Sequence, residues 1–226
     1  MIAIIGAMAQ EVAILKGLIQ NKLVEKAMHV EFTVGTLNGH DVVLLESGIG
    51  KVNVAIATTL LLERFDVKCV INTGSAGGIK ALAEVGDVVI STTVCYHDVD
   101  VTGFGYAWGQ IPGLPTEFVA DAMLVAKVES VLAEVPHLKG QIVTGDAFVN
   151  RPEQMALIRA NFPAAVALEM EAAAVAQVCH IAEVPFVVVR ALSDIAGKES
   201  HVSFEEFLPI AAAASSKMVV SLVGVL

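Results

Sequence analysis

Two carboxylates, Glu171 and Asp194, bracket a helix and a strand in the stretch Val166–Asp194, which reads VALEMEAAAVAQVCHIAEVPFVVVRALSD. Ala172–His180 is rich in alanine, the best helix former. Pro185 ends that pattern. Phe186–Val189 is then apolar at every position, as a strand covered on both faces should be. The strand runs out into Arg190, Ser193 and Asp194. Ligands of open α/β sheets sit beyond the carboxyl ends of the strands, so the order predicts that both acids face one crevice. Paired carboxylates in a crevice suit acid–base work on a sugar bond. A third acid, Glu11, falls in the first turn of a predicted helix, Gln10–Gln20, just after a first strand, Ile2–Ala7. Taken alone, an acid there is best read as a partner of the helix dipole. The alternative is a base at a strand-to-helix mouth.

The elements that must position these acids alternate between strand and helix. Val30–Thr36 and Val42–Glu46 flank Asn38-Gly39, a hairpin signal because both residues accept the positive φ of a type I′ turn. Ser47-Gly48-Ile49-Gly50-Lys51 opens a helix through about Arg64. It is not a phosphate loop, since Leu45 stands where the first glycine belongs and Val52 where Ser or Thr belongs. Cys69–Asn72 predicts a buried strand ending in a small-residue turn, Thr73–Gly78, and GxGxxG is absent, so no dinucleotide site is expected. Asp87–Val94 predicts a strand. His97-Asp98-Val99-Asp100 reads as a solvated loop, because no His or Cys at ligand spacing supports a metal. Thr102–Pro115 is a long loop with Phe104, Tyr106, Trp108 and Pro112, a composition that suits an interface or a pocket lid. Thr116–Ala133 predicts a helix capped by Thr116, Gln141–Thr144 a strand, and Pro152 opens a short helix to about Asn161. Ser203-Phe204-Glu205-Glu206 is a capping box for a terminal helix. The alternation implies an α/β fold with a largely parallel or mixed sheet.

Bulk properties narrow the partners. The 226 residues suit one α/β domain, 1–226. Hydrophobic residues make up 55% against 17% charged, an apolar surplus that fits a subunit interface. A formal charge of −10 speaks against nucleic acid or an anionic membrane as partner. Three scattered cysteines with no CxxC pair suit reduced thiols in a cytoplasm. Met1–Met8 lacks the basic start of a signal peptide. The apolar tail Ile210–Leu226 is interrupted by Ser215, Ser216 and Lys217, and reads as a buried helix rather than a membrane span.

Eight segments, in order, carry a resemblance: IIGAMAQEV, SGIGKV, INTGSAGG, DVTGFGY, GDAFV, ALEMEAAAVAQVC, VPFVVVRALSD and SFEEF. The chain resembles the bacterial 5′-methylthioadenosine/S-adenosylhomocysteine nucleosidases of the purine nucleoside phosphorylase/hydrolase superfamily over essentially its whole length. The resemblance implies a single three-layer α/β/α domain around a distorted mixed β-sheet, a homodimer and no cofactor. It implies hydrolysis of the N-ribosidic bond of adenine thionucleosides, in methionine salvage and methyl-cycle recycling. By position, Glu11 corresponds to the base that activates water, Asp194 to the acid that protonates adenine, and Glu171 to the carboxylate that binds the ribose hydroxyls. Ser75 and Arg190 correspond to supports of the water and the acids, with Ser193 beside Asp194. Phe148 and Val149 correspond to the adenine seat. Met8, Ile49, Met170 and Phe204 correspond to the apolar lining for the ribose and the 5′-thio group. Val101, Phe104 and Pro112 match residues lent by the partner subunit. Gly103 and Gly197 depart from the common alanine and acidic residue at those places.

Residue chemistry agrees with that task. Adenine leaves poorly as an anion, so a proton must reach N7 as the bond breaks, and a carboxylic acid at a dry strand end can hold one at neutral pH. Nearby carboxylates stabilise an oxocarbenium-like ribose. An ionised Glu171 accepts from both hydroxyls of a cis-diol. No metal is required. Two other readings stay open. A phosphorylase would need arginine forks or an open helix mouth, but only Arg64, Arg151, Arg159 and Arg190 occur, and Glu11 would repel phosphate. A non-catalytic adenosine-binding module would keep Phe148 and Glu171 without requiring both Glu11 and Asp194.

Overall fold

In the computed structural model the described residues are 1–79, 83–195 and 200–226, with the backbone alone for 200–203. Their element order is β1 (Ile2–Gly6), α1 (Ala9–Leu18), β2 (Gln20–Ala27), β3 (Val30–Leu37), β4 (His40–Glu46), α2 (Lys51–Arg64), β5 (Cys69–Gly78), β6 (Val88–Tyr96), β7 (Phe118–Val119), α3 (Ala122–Val131), β8 (His137–Thr144), α4 (Pro152–Asn161), β9 (Ala165–Glu169), α5 (Ala172–Ile181), β10 (Phe186–Ile195) and α6 (Ser200–Val223). A single 3₁₀ turn, Thr102–Phe104, interrupts the long loop.

The sheet is mixed and bends back on itself. β1 lies parallel between β4 and β5, and β4, β3 and β2 follow as an antiparallel meander. β10 runs parallel to β5 and antiparallel to β6, β6 and β9 flank β8 in parallel, and β9 returns to β5. Five strands, β5, β10, β6, β8 and β9, therefore close a circuit, and the other strands extend from it. β9 meets β5 through Gly77–Leu168 and Gly78–Ala167 alone, so the carboxyl ends of these two strands come together. That junction is where a ligand of an α/β sheet would sit.

The period-two alternation of the strands sorts side chains into two apolar layers. Ile2, Ile4 and Ile71 face Leu15 of α1, Leu124 of α3 and Met218, Val219 and Leu222 of α6. Ala3, Ile5, Val70 and Val188 face Leu61 of α2 and Ala172–Ala176 of α5. The result is a helix–sheet–helix sandwich, and the three layers implied by the resemblance are present. α6 is the helix, among those described, long and apolar enough to cross a membrane, and half of that stretch is buried inside the protein. It packs as the sequence pattern predicts.

Several boundaries differ from expectation. The first helix stops at Leu18, two residues before its expected end at Gln20, and Gln20–Ala27, where the sequence predicts no element, forms a strand; all but its last residue are exposed, so no apolar alternation marks it. The small-residue stretch Thr73–Gly78 continues β5 instead of turning, because it is buried at every position between neighbouring strands. Thr116 caps no helix: β7 comes first, and Asp121 caps α3 by accepting from Leu124 N at 2.9 Å. α6 already runs at Ser200, so Ser203 lies inside it and not at its cap. Gly197 lies outside the described residues. The expected hairpin forms as written, with φ of 50° at Asn38 and 83° at Gly39.

Candidate active site

Strand ends and helix mouths enclose a cavity of about 360 Å³. Glu11, Met8, Ile49, Ser75, Phe148, Val149, Met170, Glu171, Ser193, Asp194 and Phe204 all line it, as do Ala7, Ala147 and Glu169. Eleven sequence-predicted positions thus converge on one space, ten at or just after the ends of six strands and Phe204 from α6.

Glu11 reaches into the cavity from the first turn of α1 and is buried. Its carboxylate accepts four hydrogen bonds: Oε2 from Ala7 N at 2.9 Å and Met8 N at 3.1 Å, Oε1 from Ser75 N at 2.8 Å and Ser75 Oγ at 2.9 Å. Four donors fix the group's orientation. Gly74 makes the approach possible. Its φ is +141°, and a Cβ there would lie 2.6 Å from both Glu11 Oε1 and Arg190 Nη1.

Arg190 does not line the cavity. It is buried behind it in β10, where Nη2 donates to Asn72 Oδ1 at 2.9 Å and to Glu169 Oε2 at 2.5 Å. Glu171 Oε2 lies farther off, at 3.5 Å. Burial alone would lower the guanidinium pKa, but the charges of Glu169, Glu171 and Glu11 outweigh it and hold the pKa up. Glu169 is the site residue that sequence reasoning missed. It also accepts from Glu171 N at 2.9 Å, from Ala172 N at 2.8 Å and from the Thr144 hydroxyl, so it closes the mouth of α5. The signal was the pair of acids two apart ahead of an alanine-rich helix. Both line the cavity, and the first also meets the opening amides of α5.

Glu171 accepts from Gly50 N at 2.8 Å through Oε1. Burial, helped by the charge of Glu169, pushes its pKa up to about 7, against the opposing pull of Arg190 and the Gly50 amide. Asp194 lies within β10, not beyond it. Burial raises its pKa, while a 2.9 Å hydrogen bond from Ser193 Oγ pulls the other way. Two successive strand residues ordinarily face opposite sides. Ser193 and Asp194 both reach the cavity because Leu192 pairs with Ala76 and Asp194 with Gly77, leaving Ser193 as the extra residue of a bulge.

Phe148 stacks edge-on against Phe204 with ring centroids 5.9 Å apart, at an interplanar angle of 71°. Val101, Phe104 and Pro112 lie away from this cavity, and the Phe104 ring is 84% exposed. His97 is buried, not solvated; its ring packs on Gly145, and burial lowers its pKa. Asp98 instead pairs with Lys51 at 2.6 Å. Among the described residues no group of three His, Cys, Asp or Glu is placed to hold a metal ion.

The chain is similar to known proteins over nearly its whole length. Residues 1–224 match the family model of the phosphorylase superfamily. The chain is 54% identical over 225 residues to the 5′-methylthioadenosine/S-adenosylhomocysteine nucleosidase of Bacillus subtilis, covering 98% of this chain and 97% of that one. The structure of the enzyme of that name from Neisseria meningitidis, in complex with methylthio-immucillin-A, superposes with a TM-score of 0.98 at 47% identity, over 100% of this chain and 99% of that one. The Colwellia psychrerythraea nucleosidase, in complex with adenine, gives 0.97 at 48% identity, over 99% and 94%. The chain belongs to the phosphorylase superfamily and, within it, to the family of 5′-methylthioadenosine/S-adenosylhomocysteine nucleosidases.

Proposed function

We propose that the protein hydrolyses the N-ribosidic bond of 5′-methylthioadenosine, S-adenosylhomocysteine and 5′-deoxyadenosine, releasing adenine and the 5′-substituted ribose. The observation that carries this reading is the convergence of Glu11, Glu171 and Asp194 on one largely apolar cavity whose lining, among the described residues, holds neither arginine nor lysine. Asp194, raised by burial, delivers its proton to N7 of adenine as the bond breaks. Glu11, aimed by Ser75 and two backbone amides, takes the proton of the attacking water. Glu171 accepts from the ribose hydroxyls, and it and Glu11 stabilise the positive charge that develops on the ring. Phe148 offers its face to the base, and the Val149 backbone reads the base edge. Met8, Ile49, Met170 and Phe204 take up the ribose and its 5′-thio substituent. Arg190 acts through the carboxylates it holds. Neither metal nor cofactor enters the scheme.

The reading takes residues 1–226 as one domain working as a homodimer, with Val101, Phe104 and Pro112 lent to the neighbouring cavity. Three buried thiols with no disulfide suit a reducing compartment, which supports a cytoplasmic location. The test is adenine release from 5′-methylthioadenosine with and without phosphate. Release at the same rate in both is expected. A rate proportional to phosphate would establish a phosphorylase, and tight adenine binding without release a binding module.

A further inference from the structure

Behind the cavity wall three chain segments meet in a half-buried group of charges that touches no part of the cavity. Lys51 begins α2, Asp98 follows β6, and Asp146 follows β8. Lys51 Nζ donates to Asp98 Oδ2 at 2.6 Å and lies 3.8 Å from Asp146 Oδ2 and 5.3 Å above the Tyr96 ring. Asp98 Oδ2 also accepts from Asp146 N at 2.9 Å. The first amides of a helix need acceptors from outside it. Here the N-cap is Gly50, with φ of 97° and no side chain to offer. Two of those amides are met by two different segments: Gly50 N by Glu171 Oε1 at 2.8 Å, and Lys51 N by Asp146 Oδ1 at 2.8 Å.

The consequence is mechanical. Ile49, one residue before the cap, and Ala147, Phe148 and Val149, directly after Asp146, all line the cavity, the first on the ribose side and the others on the base side of the proposed nucleoside. We infer that Asp146, held by Lys51 and Asp98, is a positioning residue that sets the distance between the base seat and the ribose site, and so the affinity for a ligand that spans both. This rests on the nucleoside reading of the cavity. The contact leaves little slack, since a Cβ on Gly50 would lie 3.1 Å from Asp146 Oδ1. As an ion pair the group contributes little, because the Asp146 side chain is 46% exposed. Its weight lies in the cap, which joins two walls of one cavity.

Asp146→Ala, Asp146→Asn and Lys51→Met are compared with the unaltered protein for KM, kcat, adenine affinity by calorimetry and mass by sedimentation. Asp146→Ala removes the acceptor and raises KM for 5′-methylthioadenosine about five- to tenfold, the size expected of a lost cap. It leaves kcat within about twofold, because no group acting on the bond is touched. Affinity for adenine alone stays near its original value, since adenine occupies one wall only. Asp146→Asn restores KM, as its Oδ1 still accepts from Lys51 N. Lys51→Met keeps that amide and falls between the two. An Asp146→Ala protein of unaltered mass and unaltered KM overturns the inference. So does one that loses adenine and nucleoside affinity in equal proportion, or whose KM follows loss of a dimer. If the nucleoside reading itself is at fault, the unaltered protein releases no adenine.

Discussion

Asp194 is the residue on which the proposed chemistry turns. Asp194→Asn keeps the shape of the side chain but cannot deliver a proton, and loss of a general acid typically costs ~10²–10⁴-fold in rate. Stability should hold or rise, because a desolvated acid has been removed. Turnover, adenine affinity and melting temperature on one preparation decide it, and near-normal turnover would refute the acid role. Glu171 makes a separate prediction through pH. Its pKa rises from an ordinary 4.5 to about 7 in the folded chain, first by burial and then by the charge of Glu169. The folded state therefore holds this proton more tightly than the unfolded state. That stabilisation is complete below about pH 4.5 and is lost as pH rises through about 7. Glu171→Gln lacks it, so the melting temperature of the unaltered protein should fall relative to the variant across that window. Parallel curves would show that Glu171 does not titrate there. Glu171 and Asp194 could be brought to one crevice from the sequence because each follows an apolar strand, whereas Glu11, which alone reads as a partner of the helix dipole, is singled out only by the resemblance. Glu169 could not be separated from Glu171, because both line the cavity and only their partners differ: Arg190 and the α5 amides for one, the Gly50 amide for the other. Nothing in the local sequence tells that Arg190 lies behind the wall, since strand burial on both sides is set by distant neighbours.

At the scale of the element, β5 carries the sharpest steric constraint. Gly74→Ala would put a methyl 2.6 Å from Glu11 Oε1 and from Arg190 Nη1, at a φ of +141°. Arg190 is fully buried and has no room to retreat. The variant should lose about 1–3 kcal/mol of stability and most of its turnover. Gly17→Ala in α1, where nothing lies within 4 Å, is the control and should be neutral or stabilising by about 0.4–1 kcal/mol. Denaturant titration of both checks the pair, and equal effects would mean that the close approach at Gly74 is not maintained. The same strand shows why elements were unequally legible. β1 and the apolar first half of β10 read clearly as strands because they are covered on both faces. The glycine end of β5 reads as a turn, since small residues signal flexibility only when nothing packs on them. β2 carries almost no apolar alternation, because one edge of the sheet faces solvent. The Asp121 cap was hidden behind Thr116, a plausible cap residue placed five positions early.

For the whole molecule, the expectation is a dimer. Phe104 is 84% exposed and Val52 68%, in a chain that is 55% hydrophobic. Covering such side chains is a reason to associate. Phe104→Ala should weaken both association and binding of 5′-methylthioadenosine, read by sedimentation and by KM. An active monomer of the unaltered protein would overturn it. A different consequence follows from the extra residue in β10. Most of the chain can absorb a change of length in its loops, but Ser193 is counted into the pairing with β5. Deleting it would restore regular pairing, leave Asp194 opposite Gly77 on the cavity face, and remove the hydroxyl that donates to its carboxylate. The interior packing would survive, since Val187–Val189 keep their partners. Such a deletion should melt close to the unaltered protein and keep a lowered turnover, because Asp194 stays at the cavity but loses the Ser193 hydrogen bond. Complete loss of turnover would show that the bulge geometry itself, and not the face alone, places Asp194. At this point of the chain, one extra residue brings a second polar side chain to the cavity without changing any partner of the strand.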